Sequence, residues 1–321
     1  MRRTTPVLVA LAAAVTAGLT ATAVVSAAAP ASAAPADVPG SGQSVIDWNS
    51  RLITILGAPG AQPATVHPTR SFAMLQAAEY DAVVSITHTA SPYRAAVPAP
   101  DGARPDAAAD QAAHDVLLAL YPAARADLDT QLGGELATIP DGQAKTDGVA
   151  VGAAAAKQIV DLRATDGSAA AAAPFTAGTR PGDYRPTPPK NAAPAYTSWG
   201  SVTPFVLDSP QRFRPTPPPP VDSPAYAAAL DEVRSLGRDS STTRTPDQTV
   251  AGKFWSSAPV WNTWNQIAQQ VESERRNTLT QTTATFAALD LALAGHDHRH
   301  VRREVRRPRV AAGHRDPGRR G

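Results

Sequence analysis

Apolar residues along this chain recur at helical spacing. In residues 69–86, TRSFAMLQAAEYDAVVSI, the side chains of Phe72, Leu75, Ala78, Ala82, Val83 and Ile86 fall on one helical face. The same pattern predicts helices over 45–56 and 143–165, and a last one over 277–294. Pro105 opens a helix ending near Tyr121, and Pro122 opens the next. Ser223 before Pro224 reads as an N-cap. Thr245-Pro246-Asp247-Gln248 combines a capping box with proline at the first helical position. Ile139-Pro140-Asp141-Gly142 is a turn by composition. No repeat and no alternating strand pattern is present, so the expected fold class is all-α, a helical bundle.

Residues 166–222 break the pattern. They hold many prolines, Pro217 to Pro220 in a row, with Tyr184, Trp199, Phe205 and Phe213 between them. Regular helix is excluded there. Linkers seldom carry so many aromatics, so an ordered, extended segment lying across the helices is expected. Further on, Trp255, Trp261 and Trp264 surround Pro259 and are expected to form an aromatic cluster.

Composition sharpens this picture. Alanine is abundant and aromatics make up 5%, which favours helices packed closely through small side chains; 31 prolines confine those helices to marked segments. Residues 1–33 read as a secretory signal: Arg2-Arg3, an apolar run from Val7 to Val25, and Ala31-Ser32-Ala33 at the cleavage site. An Arg pair alone signals a twin-arginine route only weakly. The mature chain is expected to be secreted and not membrane-inserted, with one large or two small domains. With no cysteine, an exported chain must rely on its packed core.

The last 27 residues are different again. From Gly295 the chain carries nine arginines against three acids, and four histidines. That segment contributes +6 to a chain of formal charge +2, so the residues before it sum to −4. One reading is a basic arm for nucleic acid. Another is a metal tract at His296, His298 and His300, whose alternation would suit a strand. The third, which we adopt, is that residues 295–321 translate the right nucleotides in the wrong frame. Among the solutions that the genetic code permits when the codons are read one base later is one that contains the string KYDAHVWRP and restores the composition of the preceding chain. On this reading the segment is expected to be irregular, with few contacts, and no nucleic-acid partner is expected.

Catalytic signatures are scarce. There is no Gly-rich phosphate loop, no Gly-x-Ser-x-Gly and no His-Glu-x-x-His. His67 precedes a proline, His88 follows a helix end and His114 sits beside Asp115; each reads as a surface or capping residue. Glu79 and Asp81 point to different faces of their helix, which argues against a paired-carboxylate site.

Ordered stretches carry a resemblance. DWN at 47–49, TRSFAMLQAAEYDAV at 69–83, IPDG at 139–142, WGSVTPFVLDSPQRFRPTPPPP at 199–220, RTPDQTVAGKFW at 244–255 and WNQIAQ at 264–269 resemble actinobacterial vanadium-dependent haloperoxidases of the type 2 phosphatidic acid phosphatase superfamily. That family's first active-site motif is a lysine, six residues, then Arg-Pro, shortly after a helix like 279–294. The shifted frame supplies KYDAHVWRP at that place. The resemblance implies vanadate or phosphate held by Lys, Arg and backbone amides, and a small-molecule substrate in the full-length protein. The activity implied is halide oxidation by hydrogen peroxide or phosphoester hydrolysis. Neither the first motif nor the later Pro-Ser-Gly-His and Ser-Arg…His motifs occur as translated. No catalytic, cofactor-binding or metal residue can therefore be numbered in this chain, and no cofactor is expected for it. The domain reading is a signal at 1–33, a helical scaffold at 34–294 and an out-of-frame segment at 295–321. A non-enzymatic secreted protein whose basic segment binds an acidic partner is the alternative.

Overall fold

The computed structural model describes residues 41–171, 175–179, 183–209 and 216–306, with side chains up to His296. The signal at 1–33 and Phe213 therefore lie outside the described residues. Among those described, nine α-helices follow one another: α1 Gln43–Gly57, α2 Thr69–Thr87, α3 Pro105–Leu120, α4 Arg125–Ala137, α5 Gln143–Arg163, α6 Pro224–Leu236, α7 Pro246–Ser257, α8 Val260–Arg275 and α9 Leu279–Arg306. Pro122–Ala124 forms a short 3₁₀ turn ahead of α4 rather than opening it directly. The only β contact among the described residues is a single bridge between Ser41 and Thr278. The all-α expectation holds.

Local signals set the helix starts. Ser223 accepts from the Tyr226 backbone N–H, and Pro224 follows it. Both halves of the Thr245–Gln248 capping box are formed. At the end of α2, His88 takes the left-handed conformation (φ 52°) and its N–H closes on the Val84 carbonyl. This is the capping role read from sequence.

Helix α2 is the centre of the bundle, buried along nearly its whole length. It packs against α3, α5 and α9. Phe72, Leu75, Trp48, Leu52, Leu117, Leu128 and Ile159 are sealed from solvent in one cluster. Each such side chain contributes roughly 1.5–3 kcal/mol. Small residues let α3 and α5 approach closely: a Cβ on Gly152 would stand 2.2 Å from the Ala108 carbonyl oxygen, and one on Gly148 2.3 Å from that of Arg104. Helices α6 and α7 contribute no buried residue. Among the described residues, no helix is long and apolar enough to cross a membrane.

Two expectations are corrected here. The last helix does not stop at Ala294: α9 continues through Gly295 to Arg306. A single glycine costs about 1 kcal/mol in a helix, and nothing between Gly295 and Arg306 forbids one; the first proline is Pro308. The segment is therefore helical rather than irregular as far as Arg306, and residues 307–321 lie outside the described residues. The tryptophan cluster also divides. Trp255 and Trp264 pair on the surface, ring centroids 5.9 Å apart with Phe254 alongside, whereas Trp261 turns inward to His67.

The described part of the 166–222 segment contains no α-helix, only a 3₁₀ turn at Trp199–Ser201. Its packed portion is local: Trp199, Val202 and Phe205 are buried. Phe175 and Tyr184 meet edge to face at 5.3 Å, with Phe175 exposed.

Candidate functional site

Polar groups converge in the interior where α1, α2, α3, α8 and α9 meet. Gln76 and Glu79 lie three residues apart on α2, hence on one face, and both are fully buried. None of their four side-chain oxygen and nitrogen atoms has a hydrogen-bond partner. Asp110 on α3 accepts from the Trp48 indole N–H at 3.1 Å. Asp290 on α9 accepts from Asn265 Nδ2 at 2.9 Å, while its Oδ2 is unpartnered. Asn49 donates to Asn265 Oδ1 at 2.7 Å, and Gln269 donates to Asn49 Oδ1 at 2.7 Å. A chain of carboxamides thus links α1, α8 and α9.

Electrostatics raise all three carboxyls of this cluster above their ordinary values. Burial drives the Glu79 carboxyl well above its ordinary value, and Asp110 and Asp290 push it further. Burial raises Asp110 to about 7 despite the Trp48 bond, and Glu135 adds to the rise. Asp290 is likewise raised by burial to about 7, against the Asn265 bond.

Asp81 faces elsewhere, as the helical spacing indicates. It gathers the backbone N–H groups of Tyr93, Arg94 (2.9 Å) and Ala95 (2.6 Å). Glu79 and Asp81 are indeed no pair. What the sequence reading missed is that Glu79 meets acids from other helices. The available signal was a lone aspartate inside an apolar helical run, Asp110 in AAADQAA and Asp290 in FAALDLALA.

The buried cations sit in a separate place. Arg70 Nε and Arg163 each reach Asp166 Oδ2 at 2.8 Å. Arg70 also donates to the Arg163 carbonyl, and Arg163 to those of Thr203 and Pro204. Burial alone would raise Asp166; hydrogen bonds from Ser168 and Arg70 reverse this, and its carboxyl ends below the ordinary value.

Two histidines differ from expectation. His67 is buried, not on the surface: its Nδ1 meets Thr69 Oγ1 at 2.9 Å, and Tyr196 and Trp261 stand edge-on at 4.7 and 4.8 Å with Trp199 at 5.8 Å. It ties the Pro-rich segment to α2 and α8. His114 is also buried, because its two ring nitrogens bridge Asp115 (2.8 Å) and Asp129 (2.9 Å). His296, His298 and His300 lie on a helical backbone, not a strand. Among the described residues, no group of three His, Cys, Asp or Glu could hold a metal ion.

No family model and no curated protein matches the chain. Among solved structures, the crystal structure of a bacterial vanadium-dependent iodoperoxidase superposes with a TM-score of 0.70 at 18% identity, covering 86% of this chain and 72% of that one. The chain has a haloperoxidase-like fold. Within that fold, vanadate would need several convergent cationic donors in a desolvated site. The buried polar cluster among α1, α2, α3, α8 and α9 is made of acids and carboxamides. The buried guanidiniums of Arg70 and Arg163 are committed to Asp166 and to backbone carbonyls. As arranged, neither of these two buried polar groups fits an oxyanion.

Proposed function

We propose that residues 34–294 are the N-terminal helical scaffold of a secreted vanadium-dependent haloperoxidase. Its oxyanion-binding residues are encoded one base out of the frame translated here. Likeness to the iodoperoxidase supports the scaffold, and the string KYDAHVWRP that the shifted frame supplies shortly downstream of Ala294 supports the shift. The observation that carries this reading is the mismatch between fold and site: a haloperoxidase-like bundle whose buried described polar cluster is acidic. On this reading the full-length protein oxidises halide with hydrogen peroxide. Acid phosphatase activity is the related outcome, since both chemistries use the same oxyanion site. The chain as written is inactive.

One observation favours a second reading. Helix α9 runs unbroken into the arginine-rich segment, as a helical basic arm for an acidic partner would. Resequencing the gene around codons 294 and 295 separates the two. The first reading expects one extra or two missing bases, then an open frame reaching Pro-Ser-Gly-His and Ser-Arg…His. A confirmed nucleotide sequence whose shifted frame stops early would leave the basic arm as the correct account.

A further inference from the structure

We propose that Glu79, Asp110 and Asp290 form a proton-binding element that couples closure of the helical core to acid pH. It stands independently of the reading frame. Glu79 and Asp290 are fully buried and Asp110 nearly so, each on a different helix, so all three ionised together would place like charges in the low-dielectric interior. Glu79 has no hydrogen-bond donor at either oxygen, and Gln76, one turn earlier on the same face, has no partner at either amide atom. An ionised Glu79 would thus lack compensation, whereas a protonated one carries no charge that needs it.

The surroundings agree. From α1, Asp110 receives the Trp48 indole and the Ser44 hydroxyl. From α3 and α4, Asp106 and Glu135 add negative charge beside it. From α8, Asn265 contacts Asp290, and Glu272 is bonded to Asn277 and Thr282 instead. The cationic residues of α5, Lys145, Lys157 and Arg163, are paired with Asp141, Asp161 and Asp166. The charges acting most strongly on Glu79 are the two other acids.

The sign follows from linkage. Asp110 and Asp290 are raised from 3.8 to about 7, and Glu79 is raised too. The folded state then holds protons that the unfolded chain has released. Their contribution to stability is complete below about pH 4 and is lost as pH rises through about 7. The folding constant should drop by up to about tenfold per pH unit for each proton released.

Thermal unfolding of the 321-residue chain between pH 5 and 8 tests this, with Asp290→Asn and Glu79→Gln beside it. The side-chain carbonyl that Asp290→Asn introduces can still accept from Asn265, so the first variant keeps that bond. The melting temperature of the parent should fall steadily with pH, while both variants flatten the slope and Asp290→Asn exceeds the parent at pH 8. His114→Gln serves as a control, since His114 titrates with the same sign. A flat or rising parent profile, or neutral variants that keep the full slope, overturns the proposal. Should a variant fail to fold, calorimetry of the parent near pH 6 in two buffers of different ionisation enthalpy reads proton uptake directly. Uptake remaining in His114→Gln supports the element; its absence there overturns it.

Discussion

The guanidinium carbon of Arg163 lies 3.9 Å from the centroid of the Phe205 ring. Arg163 ends α5, and Phe205 belongs to the Pro-rich segment. The stacked ring, the Thr203 and Pro204 carbonyls and Asp166 therefore clamp that segment to the bundle. Asp166 is the keystone because Arg70 and Arg163 share its Oδ2. Asp166→Asn would leave two buried guanidiniums without a counter-charge, a cost of about 3–5 kcal/mol. Urea unfolding should show that loss, and limited proteolysis should show faster cleavage between residues 167 and 222. Unchanged cleavage would mean the segment is held elsewhere.

Glycine substitutions should change sign between helices. Gly152→Ala puts a methyl 2.2 Å from the Ala108 carbonyl oxygen, which α3 can relieve only by moving away from α5. Overpacking of this kind costs about 1–3 kcal/mol, more than the ~1 kcal/mol that alanine gains in helix propensity. Gly133 on α4 has nothing within 4 Å of the same position, so Gly133→Ala should stabilise by about 1 kcal/mol. Paired melting curves of the two variants check both signs at once.

The helices were legible because their signals are local. Periodicity marked α2, and capping chemistry marked the starts at Ser223 and Thr245. The interior polar cluster was not, because Glu79, Asp110 and Asp290 come together only when three helices do; an aspartate in an apolar run marks Asp110 and Asp290 singly but not their meeting. His114 was misread for the same reason. Asp115 is its sequence neighbour, but Asp129, which completes the bridge, sits on the next helix. The end of α9 was misread for the opposite reason. The change of charge at Gly295 is a statement about composition, and helix geometry is indifferent to it until a proline intervenes.

The His114 bridge gives α4 a pH-dependent hold on α3. Leu128 is the only residue of α4 that is buried, so polar contacts matter to its docking. Hydrogen bonding to Asp115 raises the imidazole above its ordinary value, with Asp129 adding to it and burial opposing. The contribution is complete below about pH 6.5 and is lost as pH rises through the raised folded value. Asp129 is half exposed, so about 0.5 kcal/mol is expected. Amide exchange in α4 should quicken as pH climbs beyond that of intrinsic chemistry, and Asp129→Asn should remove the excess. An excess unchanged in that variant would assign it to another group.

The binding of oxyanions decides the proposed function at the level of chemistry. A multiply charged anion enters a desolvated site only where fixed cations repay the lost hydration. Before Gly295 the chain has four lysines, Lys145, Lys157, Lys190 and Lys253, scattered along it. Lys145 and Lys157 are paired with Asp141 and Asp161 at the surface. The arginine-rich segment can add long-range attraction, but attraction between exposed charges fades over a Debye length of about 8 Å at physiological salt. Titrating vanadate into the 321-residue protein by calorimetry should therefore give weak heat at low salt and none at physiological salt. The frame-corrected protein should bind at both, and assays with hydrogen peroxide plus iodide and with a phosphate ester then distinguish peroxidase from phosphatase. Salt-resistant binding by the 321-residue chain would place the oxyanion site within the residues translated here and remove the reason for invoking a second frame.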